Sequence, residues 1–331
     1  MSMLKGAPWL LAHKSMLAVD RPMKVSLYGQ DYVLWKDAND NVQALPNRCP
    51  HMGAMLSEGW CEAQQDSTSA VVCPFHALEF DAAGCTVLPG GQKKTLPQMK
   101  PLELIVQGDF IWSYGSVAPA VPIPEAVNAI SQDYEFVGVA GETNVHTPLL
   151  PMLLNMHDYN HQNGTHREMF RIEEVRFEKF VDEGHHSEAF MKMPKASSTR
   201  HEILKNPSVL MMPKTIEAHL ENHFPALVIF YGETVAGPIA QCHFFVPESP
   251  ERTRTYVLLF ARPKSPVFWL KKGAFLIMEA TVVEQDADIL SKLYAKSPQN
   301  IKLNNEVGMD WVKRNFESWP QISLPNLSRL P

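Results

Sequence analysis

The sequence predicts an α+β protein of two domains, and three observations carry that prediction. The first third holds short alternating strands set off by Gly and Asn turns. A proline-rich break follows, and after it comes a second group of antiparallel-type strands that closes on one long helical segment. The expected domains are residues 1–118, all β, and residues 119–331, a sheet with a helix. At 331 residues, 45% apolar and 20% charged, the chain can bury two cores rather than one.

Taken in order, Val25 to Leu45 reads VSLYGQDYVLWKDANDNVQAL, alternating strands with turns at Gly29-Gln30-Asp31 and Asn39-Asp40-Asn41. Similar short strands run through Phe80 to Gly84 and from Leu102 to Tyr114. SVAPAVPIPE (116–125) has the composition of an extended linker. Beyond it, Leu149 to Gln162 reads as a short helix stopped by Asn163-Gly164. MFRIEEVRFEKFV, IEAHLENHF, ALVIFYGE, AQCHFFVPE and RTYVLLFAR then carry the β-branched, aromatic and alternating pattern of a half-buried antiparallel sheet. The last long element, Phe268 to Lys296, has helical periodicity.

A net charge of −6 gives no electrostatic reason to expect nucleic acid or an anionic membrane as partner. The opening MSMLKGAPWLLAHKSML lacks the apolar run of a signal peptide. No uninterrupted apolar stretch of about 18 residues follows, so a cytoplasmic protein is expected. Five cysteines, an odd number in a long chain, point to metal ligation before a disulfide framework. No GxGxxG follows a strand, so the chain carries no dinucleotide site of its own and needs an external electron source for any redox chemistry.

Two constellations carry chemistry. Cys49-Pro50-His51 and Cys73-Pro74-Phe75-His76 each offer one thiolate and one imidazole on a proline-stiffened turn. Two thiolates on one iron and two imidazoles on the other is the ligand set of a Rieske cluster. The same atoms could hold zinc, although zinc fingers group their cysteines and histidines instead of alternating them. Cys61 and Cys85 match no ligand position and read as core fillers.

The second constellation is Asn155-Met-His-Asp158-Tyr-Asn-His161-Gln-Asn-Gly-Thr-His166, where Gly164 lets His166 turn back toward His161. Two histidines and one carboxylate with open positions form the facial triad of oxygen-activating ferrous sites. Asp286 is the carboxylate candidate. It falls on a stripe with Val282, Ile289 and Leu293, where an unpaired charge would be costly without a compensating ion. Asp288, on the other face with Glu284 and Lys292, is the poorer ligand. His146, His157 and His223 read as lone structural histidines, and His185-His186 as a surface turn beside Gly184.

CPHMGAMLSEG (49–59) and CPFHALEFDAAGCTVLP (73–89) resemble the Rieske non-haem iron oxygenases, oxygenase (alpha) component, and NxxDxxHxxxxH is matched by Asn155, Asp158, His161 and His166. The late carboxylate is matched by Asp286. The chain departs from the family at Ala77 and Leu78, where Gly and Trp are usual, and in a longer segment at 63–70. Ala54 and Phe75 stand where respiratory Rieske proteins have cross-linking cysteines, which argues against that branch.

The resemblance implies a [2Fe-2S] cluster on Cys49, His51, Cys73 and His76, and a mononuclear Fe(II) on His161, His166 and Asp286. It implies an N-terminal Rieske domain and a C-terminal helix-grip domain, in which an antiparallel sheet surrounds a long helix. Asp158 is implied as a hydrogen-bonded bridge between a cluster histidine of one subunit and His161 of the next, in a homotrimer. A separate NAD(P)H-dependent reductase or ferredoxin would supply electrons, and O2 and a small, mostly apolar or aromatic molecule would be the substrates. Monooxygenation or oxidative demethylation is implied ahead of ring cis-dihydroxylation. Two other classes stay open: a Rieske electron carrier without catalysis, and a zinc-stabilised binding module.

Overall fold

The computed structural model describes residues 3–64, 68–88, 97–197, 199–205, 213–234, 237–262, 267–294 and 301–320. They form two compact units, one comprising the chain up to Pro122 with Val246–Pro250, the other Ile123–Phe245 with Glu251–Trp319.

The first unit is all β. Its strands are β1 (Trp9–His13), β2 (Met23–Leu27), β3 (Gln30–Lys36), β4 (Val42–Pro46), β5 (Trp60–Ala63), β6 (Ser69–Val72), β7 (Glu79–Phe80), β8 (Thr86–Val87), β9 (Ile105–Gln107) and β10 (Phe110–Ser113). They build three antiparallel sheets in the orders β1-β10-β9, β2-β3-β4 and β5-β6-β7-β8. The turns expected at Gly29 and Asp40 are present, both residues being left-handed. Val33, Trp35 and Leu45 pack with Leu56, Val71 and Phe80, and Cys49 and Cys73 belong to the same core. Burying Phe80 completely stabilises the unit by roughly 1.5–3 kcal/mol. The segment at 63–70 lies partly outside the described residues.

The second unit opens with α1 (Ala126–Asp133), β11 (Glu135–Val145), α2 (Leu149–Met156), α3 (Arg167–Phe170), β12 (Arg176–Glu183) and β13 (His186–Pro194). It continues with α4 (Arg200–Lys205), β14 (Thr215–His223), β15 (Leu227–Thr234), β16 (Gly237–Ser249), β17 (Arg252–Ala261), α5 (Val267–Ser291) and α6 (Val307–Glu317). Its sheet has seven strands in the order β11-β17-β16-β15-β14-β13-β12. Helix α5 seats Phe268, Phe275 and Met278 against Val137, Ile239 and Leu259 of that sheet. Gly141 lets α5 approach β11, because a Cβ there would sit 2.9 Å from Val283 Cβ and its φ of +59° disfavours any side chain. Among the described residues, no helix is long and apolar enough to cross a membrane.

Several local expectations need correction. The helix expected over 149–162 stops at Met156. Beyond it, Asp158 Oδ1 accepts from the Asn160 amide, and the Asp158 carbonyl is taken by the His161 ring; polar side chains outcompete the helical ladder there. Asp158 and His161 therefore sit on a loop and a 3-10 turn, not on one helix face. In MFRIEEVRFEKFV only the part from Arg176 is strand.

The turn beside Gly184 is a hairpin, but His186 belongs to β13. On α5, Ile289 and Leu293 are 42% and 59% exposed, so the stripe that carries Asp286 inward is not the one expected. Asp286 follows Phe275, Met278, Glu279 and Val282 at helical spacing instead. The exposed pair Asp288 and Lys292 meets at 2.6 Å, as the spacing predicts.

Candidate metal centres

The two cysteine-histidine loops are near-copies in backbone. Cys49 N–H donates to Ala54 O and Gly53 N–H to Cys49 O, each at 2.9 Å. Cys73 N–H donates to Leu78 O at 2.9 Å and Ala77 N–H to Cys73 O at 3.0 Å. This repeated turn buries both thiols, at 2% and 1% exposure, and leaves both imidazoles at the surface. The sulfurs lie within hydrogen-bond reach of one another, and the His51 and Met52 main-chain N–H groups face Cys49 Sγ. Burial pushes the Cys49 thiol pKa up, a cost that a bound metal removes by holding the thiolate.

His51 Nδ1 and His76 Nδ1 point at each other across 3.2 Å. The loops thus present the predicted ligands as one pair of neighbouring buried thiols and one pair of converging imidazole nitrogens, and this donor set fits a sulfide-bridged iron pair. Cys61 and Cys85 take no part. Cys61 packs on the core beside the loops, its thiol pushed up to about 12 by burial and then by the Asp20 charge.

The matched loops show what the alanine at position 77 costs. Gly53 and Ala77 occupy the same place, four residues after their cysteines, and both have positive φ, +80° and +54°. A left-handed conformation costs a residue with a Cβ roughly 1–2 kcal/mol. Ala77→Gly should therefore raise the stability of the cluster-loaded protein by about 1 kcal/mol, even after the extra flexibility of glycine in the unfolded chain is subtracted. Thermal unfolding followed at the cluster absorbance would show it, and an unchanged or lower midpoint contradicts the strain.

The second centre lies wholly within the helix-and-sheet unit. His161, from the 3-10 turn, and His166, capping α3, meet Asp286 of α5: Asp286 Oδ1 is 3.8 Å from His161 Nε2 and 3.3 Å from His166 Nε2. Each ring has its far nitrogen tied off. His161 Nδ1 binds the Asp158 carbonyl, and His166 Nδ1 binds Gln285 Oε1 at 2.8 Å. Both acceptors select the Nδ1–H tautomer, which leaves the Nε2 lone pair of His166 free, while that of His161 accepts from Gln162 Nε2 at 3.0 Å, a contact that a bound metal would replace.

His166 is fully buried, yet its Nε2 and Asp286 Oδ1 make no hydrogen bond among the described residues. Two orphaned polar atoms facing one point are what a missing cation explains. Burial raises the His161 and Asp286 charging costs. For Asp286 the His166 and His161 rings and the Asn155 amide outweigh burial and hold the carboxyl below its usual range, while for His161 burial prevails and keeps the ring neutral. Asn155 thus holds the third candidate ligand, Asp286, by a side-chain hydrogen bond.

Asp158 stands differently from expectation. Its main-chain carbonyl, not its carboxylate, holds His161, and its Oδ1 accepts from the Asn160 amide. The carboxylate nonetheless lies close enough to act electrostatically on the His161 ring.

A cavity opens beside the triad, walled by Met191, Met193, Ile216, Leu220, Phe230 and Ile239. Its polar groups escaped sequence reasoning. Glu279 is 3% exposed, and burial pushes its carboxyl up to about 8, so it is mostly protonated at neutral pH. Gln241 Nε2 donates to Glu279 Oε1 at 2.7 Å. His243 shares the lining, lowered to about 4 by burial against the attraction of Asp286. The available signal was one acid, Glu279, in the apolar run AFLIMEATVV. His157 is structural, buried with Nδ1 on Leu153 O and its ring 5.4 Å from Trp311.

Residues 8–103 match the Rieske [2Fe-2S] domain family. Aminopyrrolnitrin oxygenase PrnD of Pseudomonas fluorescens is 27% identical over 49% of this chain and 46% of its own length. The oxygenase component of 3-ketosteroid-9-alpha-monooxygenase from Rhodococcus rhodochrous is 26% identical over 69% of this chain and 57% of its own. Residues 8–103 thus carry a Rieske [2Fe-2S] domain, and the longer matches are to proteins named as oxygenases or oxygenase components. The chain spans about half the length of these curated relatives. In structure it resembles dicamba monooxygenase bound to dicamba, with a TM-score of 0.75 at 18% identity over 96% of this chain and 97% of that one. That likeness of fold covers both units, including the large antiparallel sheet and its helix.

Proposed function

We propose that this chain is the oxygenase component of a Rieske-type system that uses O2 and externally supplied electrons to monooxygenate or oxidatively demethylate a small, mainly apolar or aromatic molecule. The observation that carries the reading is the convergence of two imidazole Nε2 atoms, that of His166 unpartnered, and an orphaned carboxylate oxygen at the head of an apolar cavity. In this reading Cys49, His51, Cys73 and His76 hold the [2Fe-2S] cluster, and His161, His166 and Asp286 hold Fe(II). A ferrous ion there supplies open coordination positions and the redox chemistry for oxygen insertion.

The chain's own residues do the rest. Gln285, Asn155 and the Asp158 carbonyl fix the ligands, and the methionine, isoleucine and phenylalanine walls exclude water. Glu279, neutral and braced by Gln241, offers a proton donor to a polar substituent on an otherwise apolar substrate. Relatives named as monooxygenases or demethylases support the reaction class, among them the dicamba O-demethylase oxygenase component of Stenotrophomonas maltophilia, 26% identical over 212 residues.

That such relatives are named as components supports a separate reductase or ferredoxin. Exposed Met52 and Phe75, adjoining the two cluster histidines, suit a partly apolar docking contact. A homotrimer is proposed on the family resemblance, and a reducing, cytoplasmic location on five cysteines that form no disulfide with one another. Anaerobically prepared protein should contain about three irons and two sulfides per chain. Screened with small apolar and aromatic compounds, it should show substrate-dependent O2 uptake with one O2-derived oxygen atom per turnover in the organic products, carried by formaldehyde in the case of a demethylation. Two irons per chain and no such uptake would favour a simple electron carrier, and two oxygen atoms in the product would favour dihydroxylation.

A further inference from the structure

The outer face of the seven-stranded sheet carries a second group of metal-ligating side chains, independent of the oxygenase reading. In β14, Ile216, Ala218, Leu220 and Asn222 are buried, and Ile216 and Leu220 line the cavity. The intervening residues, His219, Glu221 and His223, project to the opposite face by the two-residue period of a strand. Across the ladder in β13, His186 is the direct register partner of His223. His223 is therefore not the lone histidine its sequence context suggests.

The three side chains converge. Glu221 Oε1 lies 2.8 Å from His223 Nε2 and 3.8 Å from His186 Nε2. The two rings are 5.0 Å apart between centroids. All three ligand atoms fall within 4.8 Å of one another, so small side-chain rotations bring each to the ~2.0–2.2 Å bonds of a divalent zinc ion.

The surroundings are also those of a metal site. His186 Nδ1 lies 3.1 Å from Glu183 Oε2, the carboxylate–imidazole relay that orients a ligating histidine, and Tyr231 donates to Glu221 Oε2 at 2.9 Å, fixing the other carboxylate oxygen. The side chains are 29%, 20% and 20% exposed for His186, Glu221 and His223, reachable by an ion yet partly dehydrated. An imidazole–carboxylate cluster without metal would be satisfied by one hydrogen bond per ring. It gives no reason for both Nε2 atoms to address the same oxygen.

We propose that His186, Glu221 and His223 form a structural site for a borderline divalent cation of the zinc type. The ion would clamp β13 to β14, with Glu183 at the end of β12 as its outer partner. Two nitrogens and one oxygen suit zinc, with the fourth position left to water. The three residues are not among those lining the cavity beside the triad, and the proposed role is to brace the sheet from outside.

The test uses the full chain with cluster and iron in place, exposed to excess zinc chloride and desalted, with zinc, iron and sulfide measured in the same sample. The expected result is about one zinc per chain gained with no iron lost, and a thermal midpoint raised by zinc. The double variant His186→Ala/His223→Ala should keep iron, sulfide and turnover and lose the zinc and the zinc-dependent shift. Glu221→Gln, a gentler change that retains the Tyr231 contact, should bind zinc about 10–100-fold more weakly. Equal zinc uptake by parent and variants, zinc gained only as iron is lost, or no uptake by the parent each overturns the assignment.

Discussion

His166→Ala protein is expected to be red-brown, with the cluster's visible spectrum unchanged, to hold about two irons per chain in place of three, and to form no product. Of the three proposed iron ligands, His166 is the one whose loss leaves least to compensate. It is fully buried, its Nε2 has no hydrogen-bonding partner among the described residues, and its orientation depends on one bond from Nδ1 to Gln285. Removing it leaves Asp286 facing the single imidazole of His161, a poorer donor set for a ferrous ion.

Gln285→Ala provides the graded version. The ring stays but its tautomer is no longer selected, so iron affinity or turnover should fall about 10–100-fold while the cluster is unaffected. Metal analysis with the visible spectrum of the same samples reads both effects. Loss of the cluster together with the iron in His166→Ala would show that the two centres are not separate, and three irons retained would remove His166 from the ligand set.

The parts of this molecule that the sequence disclosed are those where chemistry restricts the choice of residue. Cysteine and histidine alternating on two proline turns can be paired from their order in the chain, because few ligand sets use that alternation, and the loops do repeat one another's hydrogen bonds. Helical periodicity leads to Asp286 by a flawed route: the stripe through Ile289 and Leu293 faces outward, and Asp286 points inward with Val282, Glu279 and Met278. Helical phase over a few residues fixes an angle only to within a residue or so, and the neighbouring stripe happens to include the same aspartate.

β13 shows a different limit. HSEAFMKMP buries Ser187, Ala189, Met191 and Met193, none of them a strong strand former, so only the alternation carried information. Glu279 and Gln241 come from α5 and β16, and their meeting is set by tertiary packing that no local pattern encodes. Likewise His186 and His223 are 37 positions apart by number, and only the β13–β14 register makes them neighbours.

Asp158→Ala should produce a protein whose two metal centres are both filled and whose turnover nonetheless falls about 10–100-fold. The contact that orients His161 uses the Asp158 carbonyl, which alanine retains, so iron content is expected to stay near that of the parent. What disappears is a carboxylate that acts on the His161 ring and accepts from the Asn160 amide. If that carboxylate serves only to hold the turn, Asp158→Asn, which keeps an oxygen acceptor for the Asn160 amide, restores full activity. If its charge couples His161 to an incoming electron donor, the asparagine variant stays slow, and reoxidation of the pre-reduced cluster by O2 in the presence of substrate slows in parallel with turnover. We expect the second outcome, since an Asx turn alone needs no ionised group and asparagine makes one equally well. Unimpaired turnover in the alanine variant would remove Asp158 from the functional site altogether.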